Sequence, residues 1–158
     1  MRMGMLARTV LFGVVASGSV GTVVAAQERT TNIGGRVGYS YDAQEAVVSA
    51  NLVVPMTSRA DFYPSVDVYA PEKGSKIGFN GDFKFRFPKV GEFLYAGFGA
   101  GVISSTQGDS SKTDFGANLL LGAELKIGWF RPFVEGRAVR RDNTQYQVFG
   151  GFNISRNP

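Results

Sequence analysis

At 158 residues the chain has room for one domain and little more. A composition of 44% hydrophobic and 19% charged residues excludes both a disordered chain and a polytopic helical protein, while 21 Gly, 13 Phe and 6 Tyr suit packed strands better than helices. The net charge is +4, and the chain has neither Cys nor His, which removes disulfides, zinc–thiolate sites, thiol catalysis and every nucleophile pair or metal centre that needs an imidazole.

The first segment reads as an address. Met1–Arg8 is short and basic, and Thr9–Ala26 is uncharged with an apolar centre at Val10–Val15. It closes on Val23-Val24-Ala25-Ala26, so residues 1–26 are expected to be a signal peptide cut before Gln27, and residues 27–158 the mature domain. The alternative, an uncleaved anchor, is weakened by Gly13, Ser17, Gly18, Ser19 and Gly21. Taking Arg2 and Arg8 from the 17 basic residues leaves 15 against 13 acidic ones, too balanced to argue for nucleic acid.

After Gln27 the dominant period is two, the signature of strands whose side chains alternate between faces. Over Ile33–Asp42 the apolar face is Ile33, Val37, Tyr39 and Tyr41. Over Glu45–Val54 it is Ala46, Val48, Ala50, Leu52 and Val54, and over Ala60–Tyr69 it is Phe62, Val66 and Val68. Lys76–Phe87 is the clearest case, with Ile77, Phe79, Phe83, Phe85 and Phe87 opposed to Lys76, Asn80, Asp82, Lys84 and Arg86. Phe93–Ile103 sets Leu94, Ala96, Phe98, Ala100 and Val102 against Tyr95 and the glycines Gly97, Gly99 and Gly101. Phe115–Ile127, Phe130–Arg141 and Gln145–Ile154 repeat the pattern, giving eight segments of a length suited to crossing a bilayer at a tilt. The fold class expected is all-β: an eight-stranded antiparallel up-and-down transmembrane barrel behind a signal peptide.

The connections alternate as well. Pro55–Ser58, Pro88–Gly91 and Gly128–Trp129 would turn at the inner end. Asp42–Gln44, Pro71–Gly74, Ser104–Thr113 and Arg140–Thr144 would face outside, with Ser104–Thr113 the longest loop. Pro64 lies inside a strand and cannot donate to a ladder, so a bulge or a late strand start is expected there.

Which face points outward is decided by where the charges can go. With the apolar faces in lipid, Phe79, Phe83, Phe85, Leu119, Leu121, Leu125, Val148 and Phe152 contact the membrane. The lumen then holds Arg36, Asp61, Asp67, Asp82, Lys84, Arg86, Glu124, Lys126, Arg131, Glu135 and Arg137. An eight-strand lumen is narrow enough for side chains to fill, and mixed signs let each buried charge find a partner. Gly97, Gly99 and Gly101 would make room for long Arg and Lys chains. Val47, Val53, Phe133 and Phe149 point inward by parity and would form a small apolar layer. Aromatics fall where interfaces should lie: Tyr39, Tyr41 and Tyr146 at the outer ends, Phe87, Trp129 and Phe130 near the inner turns. The alternative, a soluble lipocalin-like barrel, would put the apolar faces around a hydrophobic ligand instead.

On the dyad strands, on Tyr95-Ala96-Gly97-Phe98-Gly99-Ala100-Gly101 and on Arg131-Pro132-Phe133-Val134-Glu135-Gly136-Arg137, the chain resembles the small outer-membrane β-barrel proteins of the OmpX and OmpA type. The resemblance implies a cell outer membrane location, insertion by the barrel assembly machinery, and a structural, adhesive or protective role; no peptidoglycan-binding domain is expected after the barrel, because the 158 residues leave no room for one. That family tends to finish on an aromatic residue. Here Phe152 and Ile154 supply the last apolar positions and Ser155-Arg156-Asn157-Pro158 follow, a departure that bears on insertion.

No catalytic residue, cofactor or metal site is expected. The barrel enzymes that the resemblance brings to mind use a histidine, and P-loop, nucleophile-elbow and calcium-loop patterns are missing from the sequence. Asp109-Ser110 reads as solvated loop. The pairs Asp61/Asp67 and Glu124/Glu135 are expected to be salt-bridged to Arg36, Lys84 or Arg137 rather than poised for acid–base work. A plugged lumen should not conduct, leaving a narrow pore as the lesser reading. Partners expected are outer-membrane lipids, lipopolysaccharide or host surfaces at the outer loops through Lys73, Lys76, Lys112, Arg140 and Arg141, and no nucleic acid; the barrel is expected to be a monomer.

Overall fold

The computed structural model describes residues 29–87, 89 and 93–155. The expected leader, most of the Pro88–Gly91 turn and the last three residues lie outside them.

Eight strands follow one another: β1 (Asn32–Ser40), β2 (Glu45–Pro55), β3 (Ala60–Ala70), β4 (Ser75–Arg86), β5 (Leu94–Gln107), β6 (Ser110–Glu124), β7 (Phe130–Arg140) and β8 (Thr144–Ser155). Each pairs antiparallel with the next, and β8 pairs with β1, so the sheet closes into a barrel with no lateral edge. Burial alternates along the strands as the sequence does: the exposed parity is largely apolar, and the enclosed one holds the charged and polar residues together with apolar ones such as Val47, Tyr63 and Phe133.

The closure is staggered. Paired residues run from Val54 at the inner end of β2 through Phe62, Phe83, Phe98, Leu119 and Ala138 to Tyr146. The Tyr146 carbonyl then accepts from the Tyr41 amide, just past the outer end of β1. One circuit therefore climbs the height of the wall, which is the shear that forces the strands to tilt. The same circuit is an outward apolar ridge, with Phe62–Phe83 and Phe83–Phe98 ring centroids 5.4 and 6.3 Å apart.

Three local expectations need correction. Ser104–Thr113 is not a ten-residue loop: β5 and β6 stay paired through Gln107↔Ser110, and only Gly108-Asp109 turns. Gly108 has φ 58°, the positive value a two-residue turn with glycine first requires. Polar composition suggested a loop, yet backbone pairing outside lipid needs no apolar face. Pro64 causes neither a bulge nor a late start. β3 begins at Ala60 and its register with β2 is the same before and after; pairing lapses only where Leu52–Val53 oppose Tyr63–Pro64, the ladder lacking the proline N–H. Finally, β6 ends at Glu124, before the expected Ile127. Leu125 faces Pro132, whose missing N–H breaks the ladder, and a bridge Ile127↔Phe130 then closes the Gly128-Trp129 turn, with Gly128 at φ 61°.

Candidate functional site in the barrel lumen

The lumen is built by the inward parity of each strand, and its centre is Glu135 on β7. The Glu135 carboxylate accepts from Arg36 on β1 at 2.8 Å, Lys84 on β4 at 2.8 Å, the Tyr95 hydroxyl on β5 at 2.9 Å and Arg137 at 3.3 Å. Arg36 also reaches Asp67 at 2.9 Å and Ser65 at 3.1 Å, and Arg137 reaches Asp82 at 2.8 Å. Amides close the ring: Asn80 donates to Asp67 at 2.8 Å, and Asn118 donates to Asp82 at 2.8 Å and to Asn80 at 3.0 Å. Arg36, Lys84 and Arg137 thus balance Asp67, Asp82 and Glu135, all buried, with the attraction offsetting the desolvation of each charge. The cations are also seated on rings. The Lys84 ammonium lies 3.2 Å from the Tyr63 centroid and 4.3 Å from that of Tyr95, and Arg36 lies 4.2 Å from that of Phe149.

Below this ring sits a second cluster. Asp61 takes Arg29 at 2.8 Å and Arg86 at 3.0 Å, Arg86 continues to Glu124 at 2.9 Å, and Glu124 accepts from Asn153 at 2.7 Å. Above it, Val47, Tyr69, Ile103 and Phe149 form an apolar cluster, and Lys76–Glu45 at 2.6 Å lies toward the outer mouth.

The structure brings together Arg36, Asp61, Asp67, Asp82, Lys84, Arg86, Glu124, Glu135 and Arg137 in these two clusters. Lys126 and Arg131 do not join them. Lys126 is exposed beyond the end of β6, and Arg131, half-buried at the foot of β7, makes no ion pair among the described residues. Both keep the inward parity, but the stagger puts them below the enclosed part of the lumen. Asp61 and Glu124 take Arg86 and Arg29 rather than the three cations expected for them. Gly97, Gly99 and Gly101 do not make room for Arg or Lys chains: a Cβ there would collide with Leu120, with Asp82 and the Gly81 carbonyl, and with Asn80. Val47, Val53, Phe133 and Phe149 are buried, Val47 and Phe149 in the apolar cluster.

Tyr63, Tyr95, Asn80, Asn118 and Arg29 were not singled out from sequence as network members. The first four share the parity of the charged positions, a signal that was legible. Arg29 precedes β1 and carries no periodicity.

On the outside, Phe79, Phe83, Phe85, Leu119, Leu121, Leu125, Val148 and Phe152 are all exposed, Leu119 and Leu121 at 64%. Tyr39, Tyr41 and Tyr146 are exposed at the outer end, and Phe87 and Trp129 at the inner. A fold that buries its charges and exposes its largest apolar residues is inverted relative to a soluble domain.

No family model matches the sequence, and no curated protein is similar to it at a significant level. Among solved structures, the crystal structure of the N-terminal β-barrel domain of Pseudomonas aeruginosa OprF superposes with a TM-score of 0.66 at 14% identity, covering 78% of this chain and 95% of that one. The fold is that of an OmpA-like small barrel. With an apolar outer wall, this OmpA-like barrel is a membrane β-barrel that crosses with strands. Paired charges fill the centre of the lumen where a hydrophobic ligand would sit, which argues against a lipid carrier.

Proposed function

We propose that the chain is a non-enzymatic integral protein of the cell outer membrane with a structural or surface-interaction role. The observation that carries this reading is the inversion: Arg36, Lys84 and Arg137 paired inside, Phe79, Leu119 and Leu121 exposed outside. Such a wall requires lipid, and a lumen filled by paired side chains acts as a rigid plug rather than a reaction chamber. The leader read at residues 1–26 supports export, and a barrel of this kind is inserted by the outer-membrane assembly machinery, here as a monomer. Exposed Lys73, Lys112 and Arg140 leave the outer turns able to meet lipopolysaccharide phosphates or another surface. Lys76 is excluded from that role, because it turns inward to Glu45.

Expression with its own leader in a Gram-negative host tests the proposal. The outer-membrane fraction should contain a band whose mobility in SDS differs between unboiled and boiled samples, since the closed ladder resists detergent until heated. A soluble periplasmic product with no shift would overturn it.

A further inference from the structure

The wall of the barrel is closed, but one hairpin rises above it at the outer end. β6 pairs with β5 in one uninterrupted register, from Gln107↔Ser110 to Leu94↔Ala123. Its pairing with β7 starts only at Ala117↔Arg140, because the chain there turns through Arg141, Asp142 and Asn143 into β8. Ser110–Gly116 therefore has a strand on one side only. The other side of the hairpin is covered, since β4 pairs with β5 up to Ser75↔Thr106.

Antiparallel pairing fixes which groups face the open side, because successive residues direct their N–H and C=O to opposite edges. The Glu124 amide donates to Phe93, on the β5 side, and the Leu125 amide to Pro132 on β7. Even-numbered residues of β6 thus point to β5, and Ser111, Thr113 and Phe115 turn their backbone groups to the open edge. All three side chains are exposed, Phe115 at 79%. Lys112 and Asp114 share the opposite face, paired at 2.8 Å with Lys112 projecting into solvent. Backbone left open in this way is a template for one more strand.

We infer that this edge binds an extended segment of a partner protein, which adds to the sheet antiparallel to β6. The inference rests on the surface-interaction reading above and names the mode and chemistry of the contact. Residues opposite Lys112 and Asp114 fall in the close, non-hydrogen-bonded pairs, so an acid is favoured against Lys112 and a base against Asp114. Phe115 favours an apolar residue opposite it. The partner thus reads, from its N-terminal end, apolar, basic, any, acidic. Arg141, beside Gly116 at the foot of the edge, and the adjoining Asp142 carry opposite signs and leave this order to Lys112 and Asp114. A second copy of this chain matches the charges with its own Lys112-Thr113-Asp114 but sets Ser111 against Phe115.

The chain has no cysteine, so Thr113→Cys gives the folded barrel a single thiol on the edge. The probe is the peptide Thr-Val-Lys-Cys-Glu-Thr, its cysteine activated as a pyridyl disulfide. The barrel thiolate attacks the peptide sulfur, a mixed disulfide forms, and the pyridinethione released reports the rate. In the inferred register the peptide cysteine lies opposite position 113. Coupling should then be about tenfold faster than for the charge-swapped peptide Thr-Val-Glu-Cys-Lys-Thr. It should also outpace coupling to Ser104→Cys, exposed on β5 but paired on both sides. N-methylation of the peptide valine, whose amide donates into the ladder, should slow coupling, while N-methylation of the lysine, whose amide points away, should not. Equal rates for the two peptides, the two barrel cysteines or the two methylated forms would overturn the inference. Disulfide-linked T113C dimers that form without peptide, and faster than S104C dimers, would overturn it in favour of a second copy. If T113C does not fold, S111C with Thr-Val-Lys-Thr-Glu-Cys carries the same comparison. Failure of wild type to show heat-shifted mobility would instead sink the membrane reading, a separate result.

Discussion

Glu135 is the residue on which the lumen depends most, because four donors from β1, β4, β5 and β7 converge on one carboxylate. Glu135→Ala leaves Arg36, Lys84 and Arg137 facing only Asp67 and Asp82. An unmatched buried cation costs about 3–5 kcal/mol. The urea midpoint of the refolded protein in detergent micelles should fall accordingly, with the m-value unchanged. Lys112→Ala removes the exposed pair with Asp114 and should not move the midpoint measurably. Equal losses in the two variants would mean that the central ring contributes nothing beyond a surface pair. The candidates for this network were legible as charged residues on one parity. Their partners were not: Arg36 and Glu135 are 99 residues apart, and no local pattern joins them.

At the scale of the element, the hairpins show which local signals were sufficient. Gly128-Trp129 was readable as a turn from its glycine, and the φ of 61° at Gly128 explains why glycine stands there. Gly128→Val should cost about 1–2 kcal/mol, because a β-branched side chain resists the left-handed region. Its lowered urea midpoint, measured beside G136V on a strand face with only a distant Leu121 carbonyl near its added Cβ, would separate turn strain from bulk. A midpoint drop no larger than that of the strand variant would refute the turn argument. The β5–β6 hairpin went the other way. Ser, Thr, Gly and Asp resembled a loop, yet the strands continue to Gln107 and Ser110, since a ladder above the lipid needs only backbone partners.

For the whole molecule, the inversion of inside and outside is the property with the sharpest consequence. Leu121 is 64% exposed on the outer wall. Leu121→Arg places a cation against lipid, which costs roughly 2–4 kcal/mol near the bilayer midplane. The heat-shifted band should be lost or strongly reduced in the outer-membrane fraction. Normal insertion of that variant would reverse the facing assignment and revive a soluble barrel.

The amino-acid sequence by itself determined the strand number, the alternation and the facing, because a period of two with charges on one face leaves a closed barrel few other ways to satisfy its backbone and its ions. Even the inward apolar positions Val47 and Phe149 followed from parity alone. Only the tertiary structure decided which charge meets which, why Lys126 and Arg131 fall outside the network, and why Gly97, Gly99 and Gly101 make way for Leu120, Asp82 and Asn80. Those outcomes follow from register and stagger, which fix the height of every side chain in the lumen and arise only when β8 finds β1.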